Sequence, residues 1–194
     1  MFNFLRKHNE PSITANNRIA TFEKVSYKEF EKAFRNIDPI VYESVAYNYF
    51  NKDDLPSLRE YYDNIILPSR STNGSAGYDF YSPIPFAFCP NSASVLPTGI
   101  RCRIENGWFL AMYPRSGLGF KHGLSLANTT GIIDSDYYYA DNEGHIMIKA
   151  FTRNHELEIE AGDRFCQGIF LPYGITTNDN AGGKRSGGFG STGK

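Results

Sequence analysis

Ile100-Arg-Cys-Arg-Ile104, followed by Glu105-Asn106-Gly107 and then Trp108-Phe-Leu-Ala-Met-Tyr113, decides the fold class. Ile100, Cys102 and Ile104 alternate with Arg101 and Arg103, the period of a half-buried strand. Asn106-Gly107 is the strongest short-range hairpin signal, so Trp108–Tyr113 is expected to return as the antiparallel partner. Similar alternation runs through His145–Phe151 and Leu157–Ala161, and Gly162-Asp163 turns the chain into Phe165–Leu171. Short strands at this spacing imply an all-β sandwich, jelly roll or barrel. The alternation of strand and long helix that builds a parallel nucleotide-binding sheet is missing.

Outward from this centre, the chain divides into 1–64, 65–173 and 174–194. The first zone has helical signals. Ser26-Tyr-Lys-Glu29 is a capping-box pattern, in which the Ser and Glu side chains satisfy free amides at a helix start. Tyr27, Phe30 and Phe34 then give that helix an apolar face. Leu55–Asp63 is a second helix candidate, with Pro56 in its first turn and Leu58, Tyr61 and Tyr62 clustered. Nothing in this zone looks catalytic, and a surface helix pair is the expected role. The last zone is rich in Gly, Asn, Thr and Ser and reads as a mobile tail. Phe189 argues that the tail docks, because an isolated aromatic usually stacks on something.

Of the 194 residues, 41% are hydrophobic and 21% charged, enough to build a packed core. The net charge of −1 provides no basic excess for a nucleic-acid backbone or an anionic membrane. No apolar run is long enough to cross a bilayer, and Met1–Glu10 is too polar for a signal peptide. Cys89, Cys102 and Cys166 are three in number and widely spaced, which argues against a zinc knuckle or a disulfide framework. The four histidines form no metal-binding pair. A cytoplasmic protein is expected.

Several segments invite chemistry. Gly188-Phe-Gly-Ser-Thr-Gly193-Lys194 superficially spells a P-loop, but it lacks the Ser or Thr after the lysine and the helix that follows. Its amides and hydroxyls, beside Lys184 and Arg185, can still wrap a polyphosphate. Pro114-Arg-Ser-Gly-Leu-Gly-Phe-Lys-His-Gly123 follows an expected strand, and Gly117 and Gly119 free the backbone beside Arg115 and Ser116 for an anion. Gly131-Ile-Ile-Asp134-Ser-Asp136-Tyr137 carries a carboxylate on a rigid strand, suited to a general base or to holding a metal-bound water. Taken alone, the tail also reads as a flexible terminus, Pro114–Gly123 as a strand-to-helix turn with an exposed arginine, and Asp134 as a solvated turn residue.

In chain order, Ser75-Ala-Gly-Tyr-Asp79, Pro114–Gly123, Gly131–Tyr137, Gly162-Asp-Arg-Phe-Cys-Gln-Gly168 and Gly187–Gly193 resemble the five ordered motifs of the trimeric deoxyuridine triphosphate nucleotidohydrolases, the dUTPases. The resemblance spans residues 65–194. It implies a jelly-roll, β-clip core in a homotrimer with shared active sites, closed over by the C-terminal arm. It also implies hydrolysis of dUTP to dUMP and pyrophosphate, with Mg2+ carried on the triphosphate.

Carried over by motif, Asp134 is the carboxylate that activates water for attack on the α-phosphorus. Arg115, Ser116 and Gln167 face the phosphates, with Ser191, Thr192 and Lys184 or Arg185 closing from the arm. Asn128 and Ile133 lie at the base, Tyr137 under the deoxyribose, and Phe189 stacks on the uracil. No direct protein ligand to the metal is implied, and Asp79 is a candidate for its outer shell.

The chain departs from the family pattern in three places. Tyr137 is followed by Tyr-Tyr-Ala-Asp-Asn-Glu before Gly144, so the loop is longer and the usual arginine is absent. Strict register puts Lys184 at the arm's arginine position, and a one-residue slip restores Arg185, a bidentate fork rather than a point charge. Residues 1–64 extend beyond the minimal family domain, with no partner identified. Two alternatives stand beside hydrolysis: a dUTP-binding regulator of a partner protein, and a dCTP deaminase on the same fold.

Overall fold

The structure is a computed structural model and describes residues 18–36, 58–183 and 187. It is mostly β, and every pairing between its strands is antiparallel. In chain order the elements are β1 (Ala20–Lys24), α1 (Tyr27–Arg35), α2 (Leu58–Asp63), β2 (Tyr78–Tyr81), β3 (Phe86–Phe88), β4 (Ser94–Pro97), β5 (Ile100–Ile104) and β6 (Trp108–Pro114). Then come α3 (Ser116–His122), β7 (Ser125–Leu126), β8 (Gly131–Ile133), a 3-10 turn (Ser135–Tyr139), β9 (Met147–Phe151), β10 (Leu157–Ile159) and β11 (Arg164–Pro172).

The largest sheet has the order β2-β11-β6-β8, and β4-β9-β7 form a second. Two further pairs, β1-β5 and β10-β3, complete the layers. Between them lies an aromatic core in which Phe30, Phe80, Phe86, Phe88 and Phe165 are fully buried. All three cysteines are free thiols.

Ile100, Cys102 and Ile104 point inward from β5 as their alternation demands. The expected hairpin with Trp108–Tyr113 does not form. A turn is present, with Trp108 N–H donating to the Glu105 carbonyl at 3.3 Å, but only Gly107 adopts positive φ (+88°). A two-residue hairpin of the Asn-Gly kind needs positive φ at both central residues; other turns splay the flanking strands. β5 accordingly pairs with β1, while β6 crosses to the other layer and pairs with β11 over seven registered positions.

The N-terminal segment also differs from a surface helix pair. β1 adds a strand to β5, and Phe22 packs against Tyr78, Phe80 and Phe170 at centroid distances of 5.3, 5.5 and 5.8 Å. α1 starts after Ser26, as expected, and buries Phe30 and Phe34. Half of the capping box forms: Ser26 Oγ accepts from the Glu29 amide at 3.2 Å. The reciprocal bond to the Ser26 amide comes from Glu143, far along the chain, rather than from Glu29. α2 occupies Leu58–Asp63, and Leu55 and Pro56 lie outside the described residues. Tyr62 Oη ties it to the Val25 carbonyl at 2.7 Å.

Candidate active site

β11 lies between β2 and β6 and brings three of the sequence motifs together. Gln167 stands opposite Asp79 on one side and Tyr113 on the other. Asp79 is buried, and its carboxylate is held from two directions. Arg115 Nε approaches Oδ1 at 3.0 Å, while Arg164 Nη1 and Ser71 Oγ donate to Oδ2 at 3.1 and 3.0 Å. Arg164 also donates to Ser71 Oγ at 3.3 Å. Two guanidinium groups on one buried carboxylate hold each other in place, since removing the anion leaves them mutually repulsive.

Gln167 is fixed just as firmly. Its Nε2 donates to the Pro114 carbonyl at 3.1 Å, at the junction where β6 gives way to α3. Gly77 leaves the space it needs: a Cβ there would stand 2.6 Å from Gln167 Oε1. Arg115 is the N-cap of α3 and Ser116 is its exposed first residue. Gly168 lies within β11 itself, where a Cβ would meet Leu110 Cδ1 at 2.7 Å. Burial pushes the neighbouring Cys166 thiol well above its ordinary range, with the Asp79 charge adding to the rise, so it is no nucleophile.

The third motif lies elsewhere. β8 pairs with the other edge of β6, with Gly131 opposite Met112 and Ile133 opposite Leu110. The antiparallel register carries the chain away from Arg115. Ile133, just before Asp134, faces a residue five positions before Arg115, about 16 Å along the strand at ~3.3 Å per residue. The chain brings Asp79, Arg115 and Gln167 together, and leaves Asp134 at the far end of the same sheet.

Ile133 is buried and Asn128 exposed. Asn128 sits in the tight connection from β7 to β8, where Thr129 takes positive φ (+65°) and donates to the Leu126 carbonyl at 3.1 Å. Those two strands pair with β9 and β6 rather than with each other. Asp134 caps the 3-10 turn, its carbonyl accepting the Tyr137 amide at 3.1 Å.

Tyr137 is 5% exposed. Its hydroxyl donates to the His145 carbonyl at 2.9 Å and accepts from Asn142 Nδ2 at 2.8 Å. Gly144 closes this loop at φ +70°, where a Cβ would lie 2.7 Å from the Tyr137 carbonyl oxygen and from Tyr138 Cα. Lys184, Arg185, Phe189, Ser191 and Thr192 lie outside the described residues.

Ser71, Gly77 and Arg164 are site-building residues that the sequence reading passed over. Arg164 and Gly77 stand inside segments it had marked, one as a lone cation near Gln167, the other as the glycine before Tyr78-Asp79. Ser71 carries no sequence signal. Among the described residues, no three His, Cys, Asp or Glu side chains gather as a metal-ligand set, and no helix is long and apolar enough to cross a membrane.

The sequence profile of the dUTPase family matches residues 63–193. The chain is 43% identical over 134 residues to the deoxyuridine 5'-triphosphate nucleotidohydrolase of Lactococcus lactis, covering 66% of this chain and 89% of that protein. It is 38% identical to the protein of the same name from Albidiferax ferrireducens over 137 residues, 66% of this chain and 89% of that one. The crystal structure of dUTPase from Streptococcus mutans superposes with a TM-score of 0.53 at 34% identity, covering 58% of this chain and 89% of that one. The dUTPase of Staphylococcus aureus phage phi11 shares the fold, with a TM-score of 0.51 at 20% identity over 61% of this chain and 91% of that one. The family match begins where the N-terminal extension ends, and the chain belongs to the dUTPase family.

Proposed function

We propose that this protein hydrolyses dUTP to dUMP and pyrophosphate, acting in the cytoplasm to limit uracil entry into DNA and to supply dUMP for thymidylate. The names of its relatives support this activity over the regulator and deaminase alternatives. The observation that carries the site is the Asp79-clamped Arg115 beside Gln167, three motifs joined by an ion pair and a strand register. A guanidinium has five N–H donors, and Arg115 faces Asp79 with its Nε side, in an ion pair of 3.0 Å. The four on its terminal nitrogens suit phosphate oxygens, with Ser116 and Gln167 completing the cradle.

Asp134 then acts as general base. It takes a proton from water as the water oxygen bonds to the α-phosphorus, and the bond to the bridging oxygen breaks to release pyrophosphate. Asn128 and Ile133 border the uracil, and the Tyr137 ring, immobilised through its hydroxyl, supports the deoxyribose. From the arm, Phe189 stacks on the base, while Ser191, Thr192 and Arg185, assisted by Lys184, bind the outer phosphates.

The separation of Asp134 from Arg115 within one chain supports a shared site, in which a neighbouring copy supplies Asp134 to the cradle. A jelly-roll homotrimer places three such sites between subunits. The donor set fits magnesium carried on triphosphate oxygens, because the buried carboxylate of the cradle, Asp79, is already bound by two guanidinium groups. When bound, the ion supplies positive charge to the polyphosphate, and Asp79 serves the site by holding Arg115.

Pyrophosphate release with magnesium, compared across dUTP, dTTP, dCTP and UTP, tests the reading. Turnover of dUTP alone is expected, with Asp134→Asn lower by on the order of 10²- to 10⁴-fold. Unchanged turnover in that variant would remove Asp134 from the chemistry. Binding of dUTP without hydrolysis would favour the regulator, and ammonia from dCTP the deaminase.

A further inference from the structure

We infer that the N-terminal extension is a positioning element of the active site, gripping the loop that follows Tyr137 through two contacts, Glu23 with Tyr138 and Ser26 with Glu143. The inference rests on the reading of Tyr137 as the support of the deoxyribose.

The first contact starts on β1. Glu23 stands opposite Arg101 of β5 and forms ion pairs with Arg101 at 2.9 Å and Arg103 at 3.4 Å. The same carboxylate accepts the Tyr138 hydroxyl at 2.8 Å, and the Arg101 guanidinium lies over the Tyr138 ring, 4.5 Å from its centroid. Tyr138 is thus held at both its face and its tip. The second contact starts at the first residue before α1. Glu143 accepts the Ser26 amide at 2.7 Å and the Ser26 hydroxyl at 2.6 Å, using both carboxylate oxygens. Glu143 takes positive φ (+57°), a conformation that an ordinary side chain adopts only where its surroundings hold it.

These grips flank Tyr137 closely. Tyr138 is its chain neighbour. Glu143 lies between Asn142, which donates to the Tyr137 hydroxyl, and Gly144, which packs against the Tyr137 carbonyl. The loop between the grips is the stretch by which this chain exceeds the family pattern, and the residues that hold it lie ahead of the family match at 63–193. Extension and lengthened loop form one unit: the first braces the second, and the second sets the ring under the sugar. Glu23, Ser26, Tyr138 and Glu143 are positioning residues, none of them touching the reacting atoms.

The test uses the full chain, because α1 buries Phe30 and Phe34, β1 packs the half-buried Phe22 against the core, and neither can be removed without opening it. Tyr138→Phe removes only the hydroxyl, and combining it with Glu143→Ala releases both grips. In the double variant, KM for dUTP is expected to rise on the order of three- to tenfold, as loss of charge-assisted hydrogen bonds implies. Discrimination against UTP should fall by a similar factor while kcat stays within about twofold. Ser26→Ala should shift KM and selectivity in the same direction from the extension side, and Ser26→Thr, which keeps the hydroxyl, should restore both. Loss of folded protein alone lowers kcat and leaves KM and selectivity in place; that pattern would overturn the inference. The Tyr138→Phe single change, at a partly exposed ring, keeps the measurement possible should the double variant fold poorly. Tyr137→Ala serves as reference. If it relaxes selectivity while the grip variants do not, the positioning role is wrong and the site reading stands. If it leaves selectivity intact, the sugar-side reading fails and the inference falls with it.

Discussion

Replacing Gly77 with alanine isolates the contribution of Gln167. Gly77 lies outside the left-handed region, so its backbone accepts a side chain without strain. The new Cβ would stand 2.6 Å from Gln167 Oε1, 3.5 Å from Cδ and 3.7 Å from Cβ. Ordinary contact requires the amide to retreat by about 1 Å. That movement breaks the bond from Nε2 to the Pro114 carbonyl, now 3.1 Å, and turns the amide away from the cradle. The displaced atoms are the free end of a flexible side chain, so the fold absorbs the change. A Gly-to-Ala gain of ~0.4–1 kcal/mol from the unfolded chain offsets a lost hydrogen bond of ~0.5–1.5 kcal/mol. Stability by urea titration should therefore stay within about 1 kcal/mol of the parent. Hydrolysis should not: a group misplaced by about 1 Å lowers kcat/KM for dUTP by about 10- to 100-fold. The double-mutant cycle is decisive. Gly77→Ala added to Gln167→Ala should cost nothing further, since both remove the same amide from the same place. If the two losses multiply, or if Gly77→Ala alone turns over dUTP at the parental rate, the seating of Gln167 has no part in the reaction.

Mixing two inactive variants tests the shared site. Arg115→Ala and Asp134→Asn chains, refolded together at equal ratio, should regain ~25% of parental activity, the fraction of sites pairing an intact Arg115 with a neighbour's intact Asp134; a site contained within one chain would regain none. Stability should also depend on pH through His145, which is fully buried, accepts the Gly99 amide on Nε2 at 2.8 Å and has no hydrogen-bond partner for Nδ1 among the described residues. Burial lowers its pKa to about 4, against the opposing charge of Glu143, with Glu29 Oε1 3.9 Å from Nδ1. The unfolded chain binds the extra proton between pH ~6.5 and 4, so stability is full above that window and falls by ~3 kcal/mol across it. Urea titrations from pH 8 to 4 should show this slope, and His145→Gln should flatten it; a flat parental curve would refute the buried neutral imidazole. From its ordinary value of 4.5 downward Glu23, held low by the Tyr138 hydroxyl against burial and with help from Arg101 and Arg103, adds its own loss as the unfolded chain takes up that proton.

Much of the strand content was legible because alternation is a local property. Cys102 and Leu157 turn inward for the same reason at any position in a sheet, namely that neighbouring side chains leave a strand on opposite faces. Pairing is not local. Asn106-Gly107 marked a turn and a turn is present, but whether its flanks pair depends on which other strands compete for their edges. β1 took the free edge of β5, and β11 offered β6 a longer ladder. The competing strand β1 begins at Ala20, in a zone whose signals pointed to helix alone.

The site shows the same division between chain order and space. Arg115 could be named from a string whose residue types suit an anion, whereas Asp79 and Gln167 could be named only from the resemblance of their segments to the family motifs. That Arg115 spends one nitrogen on Asp79, and that Arg164 and Ser71 share the same carboxylate, follows only from β11 running between β2 and β6. The distance from Asp134 to Arg115 is a consequence of antiparallel register: β6 leads towards the cradle and β8 leads away from it. On the proposed roles, a single chain with this topology would have to break the β6–β8 ladder to bring Asp134 onto its own Arg115. In the proposed trimer, rotational symmetry would remove the conflict, because a second copy could bring its Asp134 end to the cradle while both ladders stay intact. On the same reading, the brace from Glu23 and Ser26 on the loop after Tyr137 would set the geometry that each chain offers its neighbour.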